Sequence, residues 1–243
     1  MIQQLHIAEH SALAASGAAL IIGATGGIGN ALLTQLQSSQ RFATVLGCAR
    51  SDYIRLDLLD ESTIARAAQE VAAHTNDLRL IIDATGTLHG EGCEVEKSWK
   101  QLEPLAMAKS FAINAIGPAL VMKHFLPLLA TQERSVFATL SARVGSIGDN
   151  QLGGWYSYRA SKAALNQLMK TASIELRRAK PHAICVALHP GTVQTALSHQ
   201  FVKSAPNVAT PEIAAQRLLQ VIENLSSADN GGFFDHHGKT VEW

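Results

Sequence analysis

Short apolar runs alternate along the chain with longer segments in which apolar residues recur at helical spacing. The short runs predict strands at 18–23, 43–50, 53–58, 78–86, 134–142, 182–191 and 231–235. The longer segments predict helices over 29–39, 60–74, 99–130, 155–179 and 210–225. Because strands that alternate with helices form βαβ units, the pattern predicts an α/β fold. We expect a Rossmann-type doubly wound parallel sheet with helices on both faces.

The chain is expected to form a single domain over residues 18–243. Its 243 residues are 47% hydrophobic, which is enough for one large core, and no repeat, low-complexity tract or linker interrupts them. Residues 1–17 precede the first convincing strand, and either a short surface extension or a start-site artefact would explain them. Within the helical segment 99–130, Pro104 and Pro118 are expected to break or kink the helix.

Charge and composition narrow the function classes. Twenty basic and twenty acidic side chains cancel, and there is no polybasic arm, so no nucleic-acid partner is expected. The N-terminus lacks a positive leader region and no apolar run approaches a membrane span, which predicts a cytoplasmic protein without a membrane partner. Three scattered cysteines are expected to be free thiols. The adjacent His236 and His237 lack further ligand spacing, so no metal is expected.

A glycine-rich loop, GATGGIG, follows the first predicted strand and precedes the first helix. Gly23, Gly27 and Gly29 would let the backbone turn sharply and approach a pyrophosphate, which the N–H groups of the helix would bind. Thr25 and Ile28 of the same loop are predicted to contact this dinucleotide as well. A tight strand-to-helix turn without a ligand is the alternative.

The end of the second predicted strand should lie against the adenosine ribose of such a dinucleotide. This strand ends with Ala49 and Arg50 rather than with an acidic residue. Since a guanidinium suits a 2′-phosphate, the sequence favours NADP (NADPH) as the cofactor. The nearby Asp52 weakens this preference, and NAD stays possible.

Tyr158 and Lys162 lie four residues apart in a predicted helix and so share one face. An ammonium beside a phenol favours the phenolate and would lower the tyrosine pKa from about 10. Such a tyrosine could exchange a proton with a substrate beside a hydride carrier. A chance surface pair is the alternative. Tyr156 is a weaker candidate because Ala160, not a lysine, follows it by four residues.

These motifs, in this order, resemble the short-chain dehydrogenase/reductase family over nearly the whole chain from about residue 18. The glycine loop, the stretch INAIGP around Asn114, the YRASK motif and HPGTVQT at 189–195 carry the resemblance. It implies that further residues contact the cofactor: Asp57, Leu58, Ala84, Gly86, Asn114, Tyr158, Lys162, Pro190, Gly191, Val193 and Thr195. Asp83 and Thr85 depart from the family pattern, and Asp83 is expected to alter the support of the sheet centre.

The resemblance also implies the catalytic roles. Tyr158 is the acid/base, Lys162 lowers its pKa and binds the nicotinamide ribose, and Asn114 holds a water that links Lys162 to solvent. Ser141 is the candidate for the serine that holds the substrate oxygen. However, alignment of the family's Ser-Ser-x-x-Gly stretch on Gly145 places Ala142 in that position. The alternatives are that Ser146 holds the substrate oxygen or that no serine does.

Residues 140–166 and the tail 231–243 narrow the resemblance to C-factor-like and sniffer-like carbonyl reductases. We therefore expect an oxidoreductase that acts on a small carbonyl or alcohol substrate. A cofactor-binding signalling protein, and epimerisation or dehydration on the same fold, are the alternatives. The family commonly pairs subunits through long helices, and the alanine-rich face of 160–172 suits a homo-oligomer, either a dimer or a tetramer.

Overall fold

The computed structural model describes residues 17–90, 94–198 and 207–243. The predicted N-terminal extension lies outside these residues, apart from Gly17. The described chain contains a parallel sheet of seven strands in the order β3-β2-β1-β4-β5-β6-β7. The strands are β1 (Ala18–Ile22), β2 (Thr44–Ala49), β3 (Ile54–Arg55), β4 (Leu78–Asp83), β5 (Ser135–Leu140), β6 (Ala183–His189) and β7 (Phe233–Asp235). This order is that of a Rossmann-type sheet, so the predicted fold is confirmed.

Helices cover both faces of the sheet. They are α1 (Gly27–Ser39), α2 (Glu61–His74), α3 (Pro104–Phe111), α4 (Gly117–Phe125), α5 (Tyr156–Ala179) and α6 (Pro211–Asn224). Apolar residues of α1 and α6 pack with alternate strand residues such as Ile21 and Val186. Residues of α2, α4 and α5 pack with the opposite set, such as Leu20 and Phe137. The two cores explain why the central strands read as continuous apolar runs.

The predicted helix over 99–130 is a continuous helical stretch only from Pro104 to Leu128, with a local change of pitch. Trp99–Gln101 forms a separate 3-10 turn, and Leu102 and Glu103 after it are extended. Pro104 begins α3, a position that needs no intrahelical N–H. A π-helical segment, Ala112–Ile116, joins α3 to α4 just before Pro118. In an α-helix the ring at Pro118 would remove the donor to the Asn114 carbonyl, and the wider π turn accommodates this loss. The expected break therefore falls directly before Pro104, and the disruption at Pro118 is confined to the turn that carries Asn114.

This same stretch, Pro104–Leu128, is the one helix of the described residues that is long and apolar enough to cross a membrane. Its mean hydropathy is 1.5, but Val121 and Phe125 are fully buried against the sheet. Core helices often pass this test of length and composition. The predicted absence of a membrane partner stays a prediction.

Several predicted strands extended too far at their carboxyl ends. β4 ends at Asp83 rather than at residue 86, and β6 ends at His189 rather than at residue 191. The residues beyond these ends leave the ladder and line the edge of the sheet. The errors at the ends of β4 and β6 therefore fall at the carboxyl edge of the sheet, outside its buried core.

Candidate functional site

A cavity of about 520 Å³ lies at the carboxyl edge of the sheet, beside the point where the strand order reverses between β1 and β4. Ligands of doubly wound folds bind at this switch point. Seven residues predicted to bind the cofactor line it: Gly23, Thr25, Arg50, Asp57, Leu58, Ala84 and Gly86. Four separate segments of the sequence that carry predicted cofactor residues therefore meet around one cavity.

The glycine loop forms one wall of this cavity. Gly23 has a φ of +83°, which favours glycine, and its N–H donates to the Cys48 carbonyl. A Cβ on Gly29 would lie 2.8 Å from the carbonyl carbon of Gly23 and closer still to its oxygen. α1 then begins at Gly27 without a side-chain cap. The uncapped N–H groups of the first turn suit an anion.

The loop after β6 meets the glycine loop from the other side. The Thr195 methyl carbon would lie 2.9 Å from a Cβ on Gly27, so the two loops pack closely. Gly191 has a φ of +80° and turns the chain after Pro190. Val193 is buried and forms a β-bridge with Ala209. The predicted 190–195 segment therefore closes over the start of α1, where Ile28 packs against the core.

Arg50 and Asp57 line the end of the cavity that is predicted to hold the adenosine. Asp57 Oδ1 accepts from the Leu59 N–H at 3.0 Å, which fixes the loop that brings Leu58 to the cavity. Arg50 is exposed, and no carboxylate of the described residues forms an ion pair with it. Asp52 Oδ1 instead accepts from the Tyr53 N–H at 2.8 Å. The acid that weakened the NADP prediction is thus engaged with the backbone.

Tyr158 and Lys162 lie in the first turns of α5, one turn apart. Lys162 is buried, and its Nζ donates to the Leu140 carbonyl at 2.8 Å. The half-buried Tyr158 ring contacts the Trp155 ring edge to face, with centroids 6.2 Å apart. The Tyr158 ring thus stays partly exposed beside Trp155, while the Lys162 side chain reaches the end of β5.

Asn114 anchors the other side of this pair. Its amide is fully buried and exchanges two hydrogen bonds of 2.8 Å with the backbone of Thr87. Its Nδ2 also donates to Ser161 Oγ of α5 at 3.2 Å. A Cβ on Gly86 would lie 3.2 Å from both Asn114 Oδ1 and Lys162 Nζ. Because Gly86 also lines the cavity, the catalytic candidates Asn114 and Lys162 adjoin the predicted cofactor site.

The predicted lowering of the Tyr158 pKa is wrong for this geometry. Burial raises the pKa of the Tyr158 phenol to about 12. Burial also lowers the pKa of Lys162 to about 8, against the pull of the Asp83 carboxylate, which raises it. The Lys162 ammonium is directed to the Leu140 carbonyl, and desolvation of the phenol dominates.

Asp83 supports the sheet centre differently from the pattern expected at that position. Its carboxylate is fully buried, and burial raises its pKa. Oδ1 accepts from the Thr85 N–H and hydroxyl, and Oδ2 accepts from the Thr139 hydroxyl at 3.1 Å. Thr85 therefore satisfies Oδ1 of Asp83, the acid that stands where the family has an asparagine. Through its bond to Thr139, Asp83 also links β4 to β5.

The structure does not bring Ser141 to Tyr158. Ser141 Oγ donates to Asn166 Oδ1 at 2.6 Å, two helical turns beyond Tyr158 along α5. Ser146 is also buried, and its hydroxyl accepts from the Asp149 N–H at 3.1 Å. These contacts favour the alternative in which no serine holds the substrate oxygen, and the predicted role of Ser141 stays a prediction.

Two residues that sequence reasoning missed also belong to this region. Lys109 of α3 lines the cavity, and its position about one turn before Asn114 on a helix that borders the site was the available signal. Glu96 is buried beside the start of α5, and no sequence motif marked it. Among the described residues, no group of three or more His, Cys, Asp or Glu side chains could hold a metal ion.

Comparison with known proteins agrees with this geometry. The family model for short chain dehydrogenases matches residues 17–205. The chain is 39% identical over 139 residues to the C-signal of Myxococcus xanthus, which covers 56% of this chain and 78% of that protein. It is 26% identical, with a TM-score of 0.81, to an NADPH-bound carbonyl reductase from chicken fatty liver, over 93% of this chain and 94% of that one.

A likeness in fold extends to the carbonyl reductase Sniffer of D. melanogaster, with a TM-score of 0.81 and 23% identity over 93% of this chain and 99% of that one. The narrower resemblance is therefore confirmed in sequence for C-factor-like proteins and in fold for sniffer-like ones. With the matched family model and the contiguous glycine cavity and Tyr-Lys helix, the chain belongs to the short-chain dehydrogenase family and is an oxidoreductase of that family.

Proposed function

We propose that this chain is an NADP(H)-dependent oxidoreductase that transfers a hydride between the nicotinamide and a small carbonyl or alcohol. The observation that carries the proposal is the contact at Gly86, where the glycine-walled cavity meets Asn114 and Lys162. When bound, the cofactor supplies or accepts the hydride. Gly23 and the start of α1 would hold its pyrophosphate, because α1 begins without a side-chain cap and its first N–H groups are open to an anion.

Tyr158 is the proposed acid/base. With its pKa raised to about 12, the phenol keeps its proton at neutral pH and is ready to donate it to a developing alkoxide. Lys162, with a pKa of about 8, holds a proton that it can pass or retain near neutral pH. Asn114 keeps the turn beside Lys162 in place through its paired bonds with Thr87.

A preference for NADPH over NADH is supported by Arg50. Its guanidinium is exposed beside the cavity, and Asp52 is bonded to the Tyr53 N–H instead. A charge-assisted bond to a 2′-phosphate contributes about 1.5–3 kcal/mol. Arg50→Ala should therefore raise the Kd for NADPH by about tenfold to a hundredfold and leave the Kd for NADH unchanged. Equal effects on both cofactors would remove Arg50 from the preference.

The test of the whole proposal is a fluorescence titration with NADPH and with NADH, followed by a screen of carbonyl compounds. NADPH should bind and be oxidised by at least one carbonyl substrate. Tyr158→Phe should abolish turnover and leave the Kd for NADPH within about threefold, since the hydroxyl acts on the substrate. If neither nucleotide binds, the proposed oxidoreductase function fails. A Tyr158→Phe variant with wild-type turnover would remove Tyr158 from the acid role.

The substrate class, the oligomeric state and the cellular location of the protein are further proposals. Exposed apolar side chains at Ile147 and Leu152, after β5, support a partly apolar substrate. An apolar groove of about 700 Å³ along α4 and α5, with Ala172 in its floor, supports a homo-oligomer, which light scattering would test. The free, buried Cys48 and Cys185 are compatible with the cytoplasm.

A further inference from the structure

A buried carboxylate next to the catalytic helix has no part in the chemistry described above. Glu96 is 5% exposed, and no basic side chain of the described residues forms an ion pair with it. Burying an unpaired charge is costly unless hydrogen bonds satisfy it. The hydrogen bonds that Glu96 forms must therefore compensate the cost of burying its carboxylate.

Those partners are the first turn of α5. Glu96 Oε2 accepts from the Ser157 N–H at 3.2 Å, and Oε1 accepts from the Ser157 hydroxyl. The Glu96 backbone carbonyl also accepts from the Trp155 N–H. Trp155, at the N-cap of α5, supplies no side-chain cap. A carboxylate from a distant segment thus satisfies an N–H that a local cap would otherwise bind, at the end of the helix where negative charge is favoured.

The capped turn is the one that carries the phenol. Tyr158 follows Ser157 directly, so a shift of Ser157 would move the phenol with it. Two further contacts hold the same turn: Arg159 Nε donates to the Gly154 carbonyl at 2.9 Å, and Ser110 Oγ donates to the Ser157 carbonyl at 3.4 Å. Trp155 itself has a φ of +53°, a left-handed conformation that is unusual for a tryptophan. The entry into α5 is therefore imposed by tertiary contacts.

We propose that Glu96 is a positioning residue for Tyr158: through Ser157 it fixes the first turn of α5 and thereby the place of the phenol. The inference rests on the proposed function of Tyr158 as the acid/base. It assigns a role in turnover to a residue that does not line the cavity and whose hydrogen bonds go to Ser157 and Trp155 rather than to Tyr158. Because a displacement of about 1 Å can cost a hundredfold in rate, the effect should fall on kcat.

The variants separate positioning from simple stability. Glu96→Ala should lower kcat by about tenfold to a hundredfold while the Kd for NADPH stays within threefold. Glu96→Gln can still accept the Ser157 N–H and should restore kcat to within about fivefold of the wild type. Ser157→Ala, which removes the hydroxyl bond alone, should lie between them. In the double variant of Glu96→Ala and Ser157→Ala the losses should not multiply, because both remove one interaction.

Arg134→Ala is the matched control. Arg134 comes from another segment and clamps a helix end as Glu96 does, with its Nη2 donating to the Ile222, Glu223 and Leu225 carbonyls at the end of α6. It lies just before β5, at the edge of the sheet opposite the site. Arg134→Ala should lower Tm and leave kcat unchanged when measured well below Tm.

Kinetics and hydrogen exchange of residues 156–161 decide the outcome together. A kcat within twofold of the wild type for both Glu96→Ala and Ser157→Ala would overturn the inference, as would an equal fall in kcat for Arg134→Ala. If Glu96→Ala does not fold, Ser157→Ala and Glu96→Gln carry the test. Should the wild type oxidise no NADPH, the proposed function fails. In that case, unchanged hydrogen exchange of residues 156–161 in Glu96→Ala would overturn the inference as well. Faster exchange there would support the claim that Glu96 fixes the first turn of α5.

Discussion

Replacing Gly29 by alanine tests the cofactor site at its tightest point. The added methyl would lie 2.8 Å from the Gly23 carbonyl carbon and nearer to its oxygen, whereas real Cβ atoms essentially never approach within 3.0 Å. The obstacle is backbone, so the loop must move by about 1 Å, an overpacking that costs about 1–3 kcal/mol. For a chain of this size, Tm should fall by about 2–12 °C.

The binding loss follows from the same displacement. Moving the first-turn N–H groups of α1 by about 1 Å would break about two charge-assisted bonds to a pyrophosphate, each worth about 1.5 kcal/mol. The sum of about 3 kcal/mol corresponds to a Kd for NADPH that is about a hundredfold weaker. Fluorescence titration with NADPH would measure this Kd, and calorimetry would measure Tm.

Gly26→Ala is the matched control on the same loop. Gly26 has a φ of −77°, which alanine adopts freely, and its added Cβ would lie 3.3 Å from the Gly23 oxygen. The Kd of the Gly26→Ala variant for NADPH should change by less than about fivefold, because the loop would have to move by only a few tenths of an ångström. A Gly29→Ala variant that binds NADPH within threefold of the wild type would refute the assignment of this loop as the pyrophosphate cradle.

Two further predictions concern α5 and the strand beside it. Burial lowers the pKa of Lys162 to about 8 from its ordinary 10.5, so at this group the unfolded chain binds more protons, and Lys162 should contribute a rise of about 2 kcal/mol in unfolding free energy from pH 7.5 to 9.5. The thiols of Cys48 and Cys185, whose pKa burial raises, oppose this rise equally in the wild type and in Lys162→Met. In urea denaturation the difference between the two proteins should therefore change by about 2 kcal/mol over this window; parallel pH curves would contradict it. Ser141→Ala should cost about 1 kcal/mol of unfolding free energy through its lost bond to Asn166 and change kcat by less than threefold. A hundredfold loss of kcat would instead return the substrate oxygen to Ser141.

Local patterns were sufficient to predict the fold, the glycine loop and the Tyr-Lys pair, whereas the family resemblance supplied most of the other candidate site residues. Alternation of apolar strands with helices predicts the parallel sheet, since a strand covered on both faces must be apolar throughout. The glycine loop predicts a close backbone approach, and the structure leaves no room at Gly29 for a Cβ beside the Gly23 carbonyl. The spacing of Tyr158 and Lys162 places them on one face of α5 because helical geometry is local.

Features that depend on distant neighbours could not be predicted in this way. The pKa of Tyr158 is raised rather than lowered, because desolvation and the direction of the Lys162 ammonium are set by packing against β5. The hydroxyl of Ser141 lies against Asn166 because the strand's register decides which way its side chain points. These outcomes follow from the tertiary arrangement.

By itself the sequence determined the layered α/β architecture, the glycine loop and the residues of the Tyr-Lys pair, because each depends on intervals of a few positions. Only the tertiary structure decided which side chains surround that pair. Lys109 joins the cavity from α3, and Glu96 reaches the start of α5 across 61 residues of sequence. Such contacts are created when separate segments fold onto one sheet edge, and no local period records them.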